Sequence, residues 1–176
     1  RWGFWIQPHH SDFNYLQQFK MMYAALAASH VNIAVVSPYS DLSAYKVIVA
    51  PSLFVVDEIT SDNIKRFVKD GGTFMCSFRS GVKDMDNKVV DKPLPGALAD
   101  VLGIRVNEYD IWKGEGKNRV KFIEQESMRD YYPARVWCDI VELKGAKLVA
   151  QYLDDFYSGA AAVSMHEYGK GNAMYV

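Results

Sequence analysis

The run Lys46-Val47-Ile48-Val49-Ala50-Pro51 constrains the chain most. Five residues with no polar alternation, ended by a proline, read as a strand apolar on both faces, and such a strand belongs in the middle of a covered sheet. Its neighbours supply the cover. From Phe13 the apolar residues Leu16, Phe19, Tyr23, Leu26 and Ala27 recur at three- and four-residue steps, which predicts a helix capped by Ser11 or Asp12 and ending near His30. A second helix, capped by Thr60 or Ser61, buries Ile64, Phe67 and Val68 and stops at Gly71-Gly72. With Trp2 to Ile6, Val31 to Val36 and Thr73 to Phe78 as further strands, the first eighty residues give an α/β pattern with a parallel sheet.

Beyond a carboxylate-rich loop from Ser80 to Pro93, Pro95 opens a short helix through Leu98, Val101 and Leu102 that Gly103 closes. Strand-like runs then follow with no long helix between them: Ile104 to Trp112, Arg119 to Ile123, Arg135 to Leu143 and Lys147 to Leu153. Ala160 to Val176 reads as a hairpin turned at Gly169-Lys170-Gly171. No repeat or linker divides the chain, so residues 1–176 are expected to form one domain.

At 176 residues such a chain buries roughly 70% of its unfolded surface without staples. Twenty basic against twenty-one acidic side chains leave a net charge of −1, so no nucleic-acid partner is expected, and no run is long and apolar enough to predict a membrane span. Cys76 and Cys138 lack the spacing of a disulfide framework or zinc site, and neither a metal nor another cofactor is expected. The ends fall inside apolar runs, Trp2 to Ile6 and Ala173 to Val176, which suggests a module excised from a longer chain.

Candidate chemistry is sparse. Cys76 lies near the C-terminal end of a strand, where open α/β sheets bind ligands, yet Met75-Cys76-Ser77-Phe78 lacks the small residues of a nucleophile elbow. His9 and His10 are adjacent and point apart, and strand alternation separates His166 from Glu167. Asp84, Asp86 and Asn87 form an incomplete cation loop. Glu108, Asp110, Glu124, Glu126, Asp139 and Glu142 are scattered as on a half-exposed sheet, so no glycosidase pair can be picked out. Trp2, Trp5, Trp112 and Trp137 suit core packing, sugar stacking or an interface.

Several segments together carry a resemblance: Tyr45 to Pro51, Gly71-Gly72-Thr73-Phe74, Ser80-Gly81-Val82-Lys83-Asp84, Pro95-Gly96-Ala97-Leu98, Leu102 to Val106, and His166 to Ala173. In this order they resemble the middle domain of glycoside hydrolase family 42 β-galactosidases. The resemblance implies a flavodoxin-like three-layer α/β/α fold with a mostly parallel sheet, related to class I glutamine amidotransferases, with extra strands and a C-terminal hairpin. It implies a non-catalytic trimerisation domain in a homotrimer, with the galactoside bound by a separate barrel. The amidotransferase nucleophile position falls on Phe78, which has no such chemistry. Phe78, Arg79, Ser80, Asp84 and Asp86 are then the candidates for a subunit contact or the rim of a neighbouring active site. Two alternatives remain: a standalone amidotransferase-like enzyme with Cys76 activated by His166, and a carbohydrate-binding module using Trp2, Trp5 or Trp112. A cytoplasmic location is expected for the parent.

Overall fold

The computed structural model describes residues 10–112, 117–124 and 129–176. Helix α1 spans Tyr15–Ala28, and the Asn14 side chain caps it by accepting from the Gln17 N–H at 3.0 Å. Ser11 and Asp12 lie outside that helix. Phe19 and Leu26 of the expected stripe are half-buried, but Leu16 and Tyr23 are exposed, and no residue of α1 is fully buried. Strand β1 (Val47–Ala50) leads to helix α2 (Glu58–Lys69), whose cap is Asp57, accepting from the Thr60 N–H at 2.8 Å. Ile64, Phe67 and Val68 of α2 are buried as the periodicity predicts.

Gly71 follows with φ 116° and lets the chain turn back into β2 (Thr73–Cys76). A short 3₁₀ turn at Gly96–Leu98 runs into α3 (Ala99–Leu102), closed by Gly103 in the left-handed region. A side chain at Gly103 would collide with the His166 ring. Then come β3 (Ile104–Ile111), β4 (Lys117–Phe122), β5 (Tyr132–Arg135), β6 (Trp137–Leu143) and β7 (Lys147–Tyr152). The hairpin β8 (Ala161–Tyr168) and β9 (Gly171–Tyr175) completes the described chain, turning where the sequence predicts.

The nine strands among the described residues join one sheet in the order β1-β2-β9-β8-β7-β4-β5, with β6 branching from β8 and β3 pairing β6. This corrects the flavodoxin-like, amidotransferase-like expectation. Among the described strands only β1–β2 and β2–β9 pair in parallel, the other strand pairings are antiparallel, and the mixed sheet curls into a half-barrel instead of forming three α/β/α layers. The cause lies after Gly103, where no connection is long enough for a helical crossover and the consecutive strands β4–β5, β7–β8 and β8–β9 pair antiparallel. Three α-helices among the described residues are too few to cover both faces. Two smaller expectations change with it. Among the described residues β1 ends the sheet and does not sit in its middle, and Val31 to Val36 joins no ladder. The strand expected over Trp2 to Ile6 lies outside the described residues.

The interior has two parts. One, around Phe74, Val68, Leu98, Val101 and Ala173, is sealed by α2 and α3 against the parallel end. The other, around Val120, Cys138, Ala150, Tyr152, Tyr157 and Val163, lies in the antiparallel end.

Candidate functional site

The candidate residues follow the end of β2, where the backbone leaves the sheet. Two serines fix this exit. Ser77 Oγ accepts from the Ser52 N–H at 2.9 Å, while Ser80 Oγ accepts from the Leu53 N–H at 3.0 Å and donates to the Ser77 carbonyl at 2.6 Å. Between them Arg79 takes φ 62°, a conformation that costs a non-glycine residue energy and persists only when its surroundings hold it. The surroundings here are aromatic. The Arg79 guanidinium lies 4.7–4.9 Å from the ring centres of Phe54, Phe13 and Trp137, and its residue is 3% exposed. Phe78 and Tyr109 stack on Trp137 at 6.1 and 4.6 Å.

Asp139 is the acid of this cluster. It is buried, accepts from Trp137 Nε1 at 2.8 Å and from the Tyr175 hydroxyl, and receives the backbone N–H of Arg79. Burial raises its carboxyl above the ordinary value against those hydrogen bonds, and the same desolvation lowers the Arg79 guanidinium to about 10. Two cavities meet here. A small one of about 50 Å³ is lined by Phe54, Arg79, Tyr109 and Asp139, and a groove of about 690 Å³ runs between α1 and the sheet past Phe122, Tyr132 and Trp137.

The five candidates therefore divide. Arg79 and Ser80 are interior supports, Phe78 is half-buried against Phe13 and Trp137, and only Asp86 is fully at the surface. Asp84 organises the following turn, its carboxylate accepting from the backbone N–H groups of Asp86 and Lys88 at 3.0 and 2.9 Å. The same bonds explain the Asp84, Asp86, Asn87 cluster as turn structure, with Lys83 Nζ donating to the Asn87 carbonyl at 2.8 Å.

The thiol hypothesis fails on geometry. Cys76 is 1% exposed and burial drives its thiol up to about 12, the opposite of an activated nucleophile. Cys76 lies opposite Tyr175 on β9, while His166 lies opposite Ala173 from β8, two strand spacings and one two-residue step away. That is about 12 Å. The imidazole is instead held at the Val101 carbonyl, Nδ1 to oxygen 3.0 Å. Nor do the described tryptophans form a sugar platform. Trp137 is buried, and Trp112 is half-buried with its Nε1–H donating to the Tyr157 hydroxyl at 3.2 Å. Trp2, Trp5 and His9 lie outside the described residues, and His10 Nδ1 accepts from the Asp12 N–H at 3.1 Å.

Sequence reasoning missed Asp139 as the centre of the cluster, together with Phe13, Phe54 and Tyr175. Asp139 stands two residues after Trp137 and so on the same face of β6, but a lone carboxylate in a strand of mixed polarity reads as solvent-facing. Only the joint inward placement of Trp137 and Asp139, with Tyr175 arriving from β9, could have marked it.

A buried carboxyl, a ring-packed guanidinium and an inert thiol make the packing of a structural module, not of a catalytic centre. Comparison with known sequences gives the family: the β-galactosidase trimerisation domain matches residues 1–176, and the chain belongs to it. It is 36% identical over 174 residues to β-galactosidase BgaA of Clostridium cellulovorans, covering 99% of this chain and 26% of that protein. It is 35% identical over 167 residues to β-galactosidase BgaB of Geobacillus sp., covering 95% of this chain and 24% of that protein. Among solved structures, the β-galactosidase from Bacillus circulans sp. alkalophilus superposes with a TM-score of 0.92 at 29% identity, over 95% of this chain and 25% of that one. The chain thus spans about a quarter of the length of the relatives it matches.

Proposed function

We propose that the full-length protein is a β-galactosidase that hydrolyses terminal β-D-galactosides, and that this domain holds three of its subunits together without supplying a catalytic group. The observation that carries the reading is the family match over the whole chain, supported by relatives named as β-galactosidases. The galactoside binds a separate barrel, whose carboxylates perform the hydrolysis. Free, buried Cys76 and Cys138 suit a cytoplasmic setting.

Within this reading the segment Phe78 to Asn87 is a subunit contact or the rim of a neighbouring active site. Arg79 and Ser80 shape it from within, while Phe78, Asp84 and Asp86 meet the partner or the rim. The test uses the full-length protein, with hydrolysis of a nitrophenyl β-galactoside and mass by light scattering as readouts. Hydrolysis with a trimeric mass is expected. A monomeric mass overturns the assembly role, and absence of hydrolysis overturns the activity. If Arg79→Ala and Asp84→Ala both leave mass and kcat/KM unchanged, the segment has neither role.

A further inference from the structure

The two ends of the sheet carry unlike surfaces. Past the C-terminal ends of β1 and β2, at the parallel end of the sheet, Tyr39, Ile59, Met85 and Val89 are 51–63% exposed, a group of large apolar side chains on the segments that flank these strands. They are fixed in place. The Tyr39 hydroxyl donates to Asp57 at 3.0 Å and touches Met85 Sδ at 3.9 Å, and Ile59 follows in the first turn of α2. The loop bearing Met85 and Val89 is tied down by backbone bonds from Val82 and Lys83 to the Phe54 carbonyl, and from Val90 to Val82. Glu58, Asp62 and Asp86 are exposed around this corner, with Lys88 3.5 Å from Asp86 as the nearby counter-charge. The patch is apolar, rigid and rimmed mainly by acid.

At the other end, Lys117, Arg119 and Lys121 alternate outward along β4, and register places Arg135 of β5 opposite Lys117 on the same face. Asp154 engages Arg119 at 2.7 Å, leaving the face basic. Its apolar members are aromatic. Tyr131 is 44% exposed beneath Arg119, 5.5 Å from guanidinium to ring centre, and Phe156, on the loop that bears Asp154, is 74% exposed. Six strand steps separate β1 from β5, about 29 Å along the sheet.

We propose that these two ends are the two halves of one head-to-tail contact: the acid-rimmed Tyr39–Met85 corner of one copy docks on the basic, aromatic β4–β5 face of the next. A closed ring of identical chains needs two different, mutually complementary patches on each copy, well separated on its surface. The chain presents that arrangement, with opposite charge at the rims and exposed apolar groups at both centres. The pinned loop limits the ordering cost of docking. The proposal rests on the assembly role above and names the surfaces that perform it.

The test is a charge swap in the full-length protein. Glu58→Lys with Asp86→Lys reverses one end, Lys117→Glu with Arg135→Glu reverses the other, and a fourfold variant carries both. Each double variant is expected to weaken assembly at least ten-fold by light scattering on dilution, and the fourfold variant to regain a trimeric mass. Circular dichroism checks the fold, and Met85→Glu or Lys121→Glu replaces a double variant that does not fold. A trimeric parent with trimeric double variants overturns this pairing and leaves the assembly role standing. Dissociated doubles without recovery in the fourfold variant overturn the pairing as well. A monomeric parent overturns both.

Discussion

The helix-covered parallel end and the antiparallel end of the one sheet solve the same burial problem with different chemistry. At the parallel end Phe74, Val68, Leu98, Val101 and Ala173 are wholly inaccessible, and α2 and α3 close over them. At the antiparallel end the interior is built from Tyr152, Tyr157 and Cys138 around a few small aliphatics, with Asn118 buried among them. Aliphatic packing needs no partner beyond shape, whereas each buried hydroxyl or amide needs one with the right geometry. The difference separates two tasks: one end supplies bulk stability, and the other trades some of it for a defined surface bearing cations and exposed rings.

If this division holds, substitutions at the parallel end should be the costliest. Phe74→Ala removes a fully buried ring and should cost about 3–5 kcal/mol in urea unfolding. An equal or larger loss from Val163→Ala in the other interior would break the comparison. Next is Asn118, whose amide donates to the Asp154 carbonyl at 3.0 Å and accepts from the Asp154 N–H at 3.1 Å. Asn118→Leu keeps the volume and leaves both backbone groups unmet, so about 2 kcal/mol should be lost. Because Asp154 also holds Arg119, the same variant should disturb the basic face and weaken assembly. The α2 cap comes below these. Asp57→Ala should cost about 1 kcal/mol in unfolding and release the Tyr39 hydroxyl, so a variant as stable as the parent would show that the cap is replaced by solvent.

The legible parts of the fold were those written in short-range pattern. The α2 stripe, the Gly71 and Gly103 exits and the hairpin at Gly169 to Gly171 all follow from three- or four-residue spacing and from turn chemistry. The sheet's order was not legible, because pairing β9 beside β2 is a contact across about a hundred residues that no local signal announces. The α1 stripe was half right, since nothing in its period says which neighbour it meets. The candidate segment after β2 was found through resemblance. Its internal logic was hidden because Arg79 and Asp139 look like surface residues until Trp137, Phe13 and Phe54 enclose them.

Asp139 stands between the two regions, and its titration gives the finest test of their boundary. Burial raises its carboxyl above the ordinary 3.8, outweighing the hydrogen bonds from Tyr175, Trp137 and Arg79. The folded protein therefore holds that proton more tightly than the unfolded chain, and the stability so gained is present below the unfolded value and lost as pH rises through the folded one. Asp139→Asn keeps the shape and removes the titration. As pH rises above the ordinary carboxyl value the parent's Tm should fall relative to the variant's, because burial outweighs the hydrogen bonds that favour the charged form. Parallel curves would mean that the hydrogen bonds cancel the desolvation in full. A parent that gained stability with pH relative to Asp139→Asn would mean that the Arg79 charge outweighs burial, which would make the site a net electrostatic tie between the two ends of the sheet.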